Sequence, residues 1–490
     1  MLFNSYIFIL FFLPITVTGY FLFNHFQKYV AGEVFLLIMS LWFYGYFNIS
    51  YLPVILSSIV INYGIYRLFQ IKTGRTPKGF RKMVLYAGIA FNIGILFYFK
   101  YYDFFAENIN ALFHTDLVLK NLMLPLGISF FTFQQLSFVI DAYRGEIPAY
   151  SPEAYALFVT FFPQLIAGPI VTHDELVPQL SDLNRKRVCW MNLSQGIYIF
   201  SIGLAKKVLI ADLFGNVANW GFGNYLSLDT TNAFLTMLSY TIQIYFDFSG
   251  YCDMAIGIGK MLNIDLPLNF NSPYKALTIT EFWKRWHMTL TRFFSRYVYI
   301  PLGGNRKGLV KMCRNTIVVF LVSGLWHGAN WTFILWGGVH GIFSVLTKVF
   351  KGFFDSIHPA LNWMLTFLFV NIMWVFFRAD SILQAFVILK RIAAFNIGPV
   401  SSEIIHIFNL KELLYIQKKA ALDPVLNNFP VFWTLVFFGS AILIILGRKN
   451  SYEMMQNFHM SIWDGVHTVI CLVWGILSLC GVSTFLYFNF

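Results

Sequence analysis

The chain has 490 residues, with 35 Lys and Arg against 23 Asp and Glu, a formal net charge of +12. Charged residues make up 12% of it, apolar residues 58% and aromatic residues 19%. A soluble globule carries about twice that share of charge, and a disordered chain is poor in aromatics. The class that remains is an integral membrane protein.

The first apolar stretch, near residues 5–24, is long enough to cross a bilayer. No Lys or Arg precedes Lys28, so it lacks the basic flank of a cleaved signal and reads as a retained helix. Further spanning stretches lie near 33–49, 52–70, 84–101, 120–140, 190–213, 315–348, 360–377, 431–447 and 463–487. Stretches near 153–171 and 232–249 contain Pro163, Gln164 and Pro169 or Gln243 and Asp247, and read as partial or buried helices. At about 20 residues per crossing, the expectation is an all-α multi-pass protein with about ten to twelve spans plus re-entrant segments. The runs are continuous rather than alternating, which argues against a β-barrel.

The segment Arg67–Lys82 holds Arg67, Lys72, Arg75, Lys78, Arg81 and Lys82 and no acid. It is expected on the cytoplasmic side, which places the N-terminus outside. Arg185–Lys186–Arg187, Lys206–Lys207, Lys418–Lys419 and Arg448–Lys449 are further basic clusters. The net charge is read as this bias and not as nucleic-acid binding, since no nucleic-acid-binding motif is present. The five cysteines form no CxxC and read as small hydrophobes. No repeat or linker divides the chain, so residues 1–490 are taken as one domain. Its core, about 120–345, concentrates Gly, Pro, Asn and polar residues within apolar sequence; 1–119 and 346–490 flank it.

Two histidines stand out in that core. Trp283, Trp286, His287, Leu290, Phe294 and Tyr297 recur at the spacing of one helix face, with Lys284, Arg285, Arg292 and Arg296 opposite. The spacing predicts one amphipathic helix with Thr280 as its cap and His287 on the aromatic side. A packed, hydrogen-bonded histidine is the alternative reading. His327 follows Trp326 among the small residues Ser323, Gly324, Gly328 and Ala329, at expected membrane depth, where a histidine needs a reason to be present. His340, 13 residues on, falls on the opposite face of a continuous helix and is expected to be structural. His25, His114, His173, His358, His406 and His459 fall at loops or helix ends. Asp247 and Asp253 are expected to cap helices or pair with arginines, and the histidine spacings do not suit a metal. No GxSxG is present, and Ser323, one turn before His327, lacks an orienting partner. A neutral imidazole acting as general base on an acceptor hydroxyl fits these residues; a proton-coupled transporter fits them too.

The segments Pro125-Leu-Gly-Ile-Ser-Phe-Phe-Thr-Phe-Gln134, Phe162-Pro-Gln-Leu-Ile-Ala-Gly-Pro169, Tyr245-Phe-Asp-Phe-Ser-Gly-Tyr-Cys-Asp-Met-Ala-Ile-Gly257, Leu268-Asn-Phe-Asn-Ser-Pro-Tyr274, Phe282-Trp-Lys-Arg-Trp-His287, Tyr299-Ile-Pro-Leu-Gly-Gly-Asn-Arg306 and Ser323-Gly-Leu-Trp-His-Gly-Ala329 resemble a membrane-bound O-acyltransferase (MBOAT) of the alginate O-acetyltransferase type. The resemblance covers essentially the whole chain, including the apolar start and the ending Phe485–Phe490. It implies a helical core with a funnel or tunnel in a bacterial inner membrane, His327 as the key histidine and His287 as the second. It also implies an acyl thioester donor such as acetyl-CoA or an acyl carrier, with no bound cofactor or metal. An extracytoplasmic acetyltransferase partner and a polysaccharide acceptor follow from it, with membrane lipid around the chain. A sister branch transfers D-alanine to teichoic acids from a carrier protein, and export of a polymer or acyl precursor is the alternative of another class. Trp286, Arg285, Asn269, Asn271, Tyr274, Trp326 and Ser323 are the expected substrate-binding residues, with satisfaction of backbone as the alternative reading of Asn269, Asn271 and Tyr274. Lys284, Arg285, Arg292, Arg296, Arg306, Lys307, Lys311 and Arg314, with Glu281 the one acid among them, would attract a phosphate-rich donor if they face the cytoplasm; ordinary positive-inside bias is the alternative reading. The two histidines are expected to meet in one water-reachable passage.

Overall fold

The computed structural model describes residues 1–71, 78–420, 426, 428–447, 449–479 and 485–486. Among these the elements are helices, with no strand. Six are long and apolar enough to cross a membrane: Phe8–His25, Ile49–Gln70, Lys78–Phe113, Leu309–His327, Trp331–Val349 and Pro359–Arg378. Tyr29–Gly45, Phe432–Leu446 and Ile462–Leu477 are shorter apolar helices. The outer faces of these helices carry exposed Leu, Ile, Phe and Trp, such as Leu443 and Ile462, as a lipid-facing surface requires. Lys72, Arg75, Cys480, Arg448 and most of the final segment lie outside the described residues.

The centre of the molecule is one helix, Thr230–Met261. Its 32 residues make it about 48 Å long, and nearly all of it is buried. It is packed by Trp190–Ala205, Asp212–Gly223, Pro359–Arg378 and Ile382–Ala393. Trp190–Ala205 comes close because two glycines on each helix face each other. A Cβ on Gly203 would stand 2.6 Å from the Gly250 carbonyl oxygen, and one on Gly257 2.7 Å from that of Gly196. Small residues allow such backbone contact between membrane helices.

The charges on this central helix are paired. Lys206 meets Asp253 at 2.7 Å and also donates to the Ser451 hydroxyl. Lys207 lies 2.6 Å from Asp247 and 2.8 Å from Asp212. Both lysines belong to a π-helical segment, Lys206–Ala211, whose wider turn lets consecutive side chains point inward. These residues correct two expectations. The partners of Asp247 and Asp253 are lysines, and both aspartates sit inside a helix rather than at its cap. Lys206–Lys207 is not a loop cluster, and Lys186 is likewise buried, 2.8 Å from Glu33. A positive-inside count overreads such residues, because it assumes every cation faces water.

Two spans differ from their expected form. The stretch 315–348 is a helical hairpin, Leu309–His327 and Trp331–Val349. The segment 280–297 is two short helices, Ile279–Arg285 and Met288–Phe294, continued by a π-helical turn at Ser295–Tyr299.

Gly257→Val should lower the thermal midpoint of the detergent-solubilised protein, by an amount equivalent to about 1–3 kcal/mol of overpacking. Gly94→Val, where an added Cβ meets nothing within 4 Å, should leave it unchanged in the same measurement.

Candidate active site

The first interruption holds His287. The helix Ile279–Arg285 is capped by Thr278, whose side chain accepts from the Glu281 amide, and not by Thr280. His287 takes a left-handed backbone, φ 45°, at the start of the next helix. An extended segment at 269–271 crosses the break and satisfies it. The Asn269 carbonyl accepts from the Met288 amide, and the Arg285 carbonyl accepts from the Asn271 amide. The Asn269 side-chain oxygen accepts from the Thr289 amide at 3.3 Å and the Thr289 hydroxyl at 2.9 Å. That oxygen also lies 3.1 Å from His287 Nδ1. As an acceptor it places the imidazole proton on Nδ1 and leaves Nε2 as the basic nitrogen.

The second interruption holds His327, the last residue of its helix. Gly328 is extended, and Asn330 caps the returning helix through the Thr332 amide. His327 Nδ1 lies 2.7 Å from the Ser323 carbonyl, which can only accept, so here too the basic nitrogen is Nε2. The contribution of Ser323 is thus its backbone and not its hydroxyl. Close contact of the hairpin is what the small residues secure: a Cβ on Gly324 would stand 2.3 Å from the Phe333 carbonyl oxygen.

Trp326 joins the two sites. Its ring centroid is 6.2 Å from that of His287 and 4.9 Å from that of His327. It is stacked on Phe133 and donates to the Ser129 carbonyl. The rings of His287 and His327 are within electrostatic reach of each other. They are 0% and 2% exposed, so the pair meets in a closed aromatic core rather than an open passage. His340 belongs to the same core, contrary to expectation. The Trp336 ring lies 5.1 Å from His327 and 4.9 Å from His340. The prediction assumed one continuous helix; the hairpin turns the second helix back against the first.

The other expected contact residues also bond or pack against neighbouring segments. Trp286 is buried among Phe270, Phe282 and Trp374. Tyr274 donates to the Thr241 carbonyl and accepts from Trp374. Arg285 pairs with Glu281 and donates to the Asn271 carbonyl. Asn271 accepts from Asn450. The basic cluster is also smaller than its sequence. Arg292 is held by Glu175, and Arg296 by Glu146 and Asp141. These acids come from distant segments, invisible to a count over 281–314. Lys284, Arg306, Lys307, Lys311 and Arg314 stay exposed.

Two groups escaped the sequence reading. Lys100, in the π-helical segment Phe97–Tyr101, donates to the Trp326 carbonyl at 2.6 Å and the His327 carbonyl at 3.3 Å. Tyr101 donates to the Leu325 carbonyl. Together they close the end of the His327 helix, where carbonyls lack helical partners. The signal was one lysine in an apolar stretch. Asp141, fully buried, accepts from Tyr297 at 2.6 Å and Arg296 at 3.1 Å, with His173 Nε2 3.6 Å away.

A cavity of about 1030 Å³ lies between the Trp190–Ala205, Phe432–Leu446 and Ile462–Leu477 helices, with Tyr245 and Ser272 in its wall. Neither His287 nor His327 lines it. A smaller one, about 100 Å³, is lined by Thr289, Phe293, Arg292 and Arg296.

Asn269→Ala strips the acceptor from three buried donors, each costing about 1–3 kcal/mol when unpaired. The thermal midpoint should fall well below that of Arg285→Ala, whose ion pair is about one-third exposed and contributes less.

Residues 10–385 match the membrane-bound O-acyltransferase family. The chain is 40% identical over 526 aligned positions to a peptidoglycan O-acetyltransferase of Helicobacter pylori, covering 100% of this chain and 98% of the relative. It is 37% identical to a probable alginate O-acetylase of Pseudomonas aeruginosa, over 82% of this chain and 76% of the relative. A teichoic acid D-alanyltransferase of Bacillus subtilis is 30% identical over 50% of this chain and 63% of its own. The chain belongs to the membrane-bound O-acyltransferase family and is a membrane-embedded O-acyltransferase.

Proposed function

We propose that this protein supplies acetyl groups for O-acetylation of an exported polysaccharide, peptidoglycan in the first instance. It takes them from a cytoplasmic thioester, acetyl-CoA or an acyl carrier. The setting is a bacterial inner membrane with the N-terminus outside. The observation that carries the reading is the pair of imidazoles flanking Trp326, each fixed with its proton on Nδ1 by an acceptor. Peptidoglycan is preferred to alginate because the similarity to the peptidoglycan O-acetyltransferase runs the full length of both chains, whereas that to the alginate O-acetylase leaves part of each unmatched.

His327 acts as the general base. Its Nε2 takes the proton of the acceptor hydroxyl as that oxygen adds to the thioester carbonyl, and returns it to the leaving thiolate. His287, across Trp326, assists at the same centre. The final acceptor oxygen belongs either to the polysaccharide or to an extracytoplasmic acetyltransferase that passes the group on. The exposed Lys284, Arg306, Lys307, Lys311 and Arg314 offer the charge a phosphate-bearing donor needs. Because both rings are closed off, the aromatic layer around Trp326 has to part for substrate to enter.

His327→Ala should reduce base-released acetate from purified peptidoglycan by at least about a hundredfold, with the membrane level of the protein unchanged. Persisting O-acetylation in that variant would remove His327 from the mechanism. Loss of acetate from alginate or another glycan, with peptidoglycan unaffected, would transfer the assignment to that polymer.

A further inference from the structure

Four polar side-chain atoms on the helix Trp331–Val349 are buried without a hydrogen-bond partner among the described residues: Thr332 Oγ1, Trp336 Nε1, His340 Nε2 and Ser344 Oγ. They follow at intervals of four residues, so they form one row on one helix face. Unpaired buried donors are rare and costly, and each asks for an explanation. Trp336 and His340, the middle two, are both 0% exposed. Trp336 Nε1 can only donate. For His340, Trp283 Nε1 donates to its Nδ1 at 3.1 Å. Nδ1 therefore accepts, and the His340 proton sits on Nε2. Two N–H groups, on rings 4.9 Å apart, are thus left beside the ring of His327, which is 5.1 Å from Trp336.

A base with two unused donors at its side matches the needs of acyl transfer. When the acceptor oxygen bonds to the acyl carbon, the carbonyl electron pair moves onto its oxygen, while the hydroxyl proton passes to His327. Collapse restores the carbonyl, breaks the carbon–sulfur bond and returns the proton to the thiolate. The oxygen that carries charge between these steps needs fixed donors in a water-poor site, where they act most strongly. We propose that Trp336 Nε1 and His340 Nε2 donate to that oxygen, and that the bond from Trp283 holds His340 in the tautomer required. The assignment rests on the acyl-transfer reading above and adds two catalytic residues and one positioning residue to it.

The test is steady-state release of coenzyme A from acetyl-CoA by the purified full-length protein, with a chito-oligosaccharide as acceptor. Trp336→Phe keeps the ring and removes the donor. It should lower kcat per folded molecule by about a hundredfold at unchanged KM, with a lower thermal midpoint from the buried volume removed. His340→Leu should lower kcat per folded molecule likewise, with a lower thermal midpoint because Trp283 Nε1 loses its acceptor, and His340→Gln, which restores a donor near Nε2, should recover part of the rate. Folded Trp336→Phe and His340→Leu proteins with kcat within about threefold of wild type would overturn the proposal, leaving acyl transfer intact. So would loss of rate that tracks loss of folded protein in both, since the groups would then be structural. A wild-type protein inert in this assay would instead refute direct transfer from acetyl-CoA to a glycan hydroxyl, the form of the proposed function on which the assignment rests.

Discussion

A helix broken inside a buried core leaves amides and carbonyls that no water can satisfy, so each break has to be closed by the protein. The whole site depends on that constraint. His287 and His327 both sit at such breaks, and the groups that close them also fix the imidazoles. Asn269 accepts from the backbone of the second short helix and lies against His287 Nδ1. Lys100 and Tyr101 cap the carbonyls that end the His327 helix, one turn beyond the Ser323 carbonyl that receives His327 Nδ1. Backbone satisfaction and choice of tautomer are one arrangement here.

The same constraint accounts for the distribution of charge. Lys206 and Lys207 enter the interior only because Asp253, Asp247 and Asp212 neutralise them. Burying one partner without the other would be far more costly than burying the pair. These ion pairs tie the central helix to the segment that packs against it through paired glycines. The pairs make the framework, while the rings of His287, Trp326, His327, Trp336 and His340 pack in sequence within it.

Much of this was legible in the sequence. Composition alone gave the membrane class, and the apolar runs located most helices to within a few residues. His287 and His327 stood out by their surroundings, and they do converge on Trp326. Periodicity failed where polar groups from elsewhere intervene. The rhythm from Trp283 to Tyr297 is that of one helix, yet Asn269 breaks it at His287. A continuous helix over 315–348 puts His340 on the face opposite His327, whereas the turn at Gly328–Asn330 brings it into the same core. Asn271 and Tyr274 read in the sequence either as lining for a donor path or as groups that satisfy backbone, and each hydrogen-bonds a neighbouring segment. Lys100 is one lysine within an apolar run, and nothing in the run itself marks its partners, which lie more than two hundred residues on.

The central claim is that acyl transfer occurs between the two histidines and not in the cavity of about 1030 Å³ beside the C-terminal helices. A cryo-electron microscopy structure of the full-length protein with a ketone analogue of acetyl-CoA, in which a methylene replaces the thioester sulfur, tests it most directly. The account predicts the ketone carbon near His327 Nε2, its oxygen toward Trp336 and His340, and the Trp326 layer displaced. A ketone seated in the other cavity, with both imidazoles still enclosed, would contradict it.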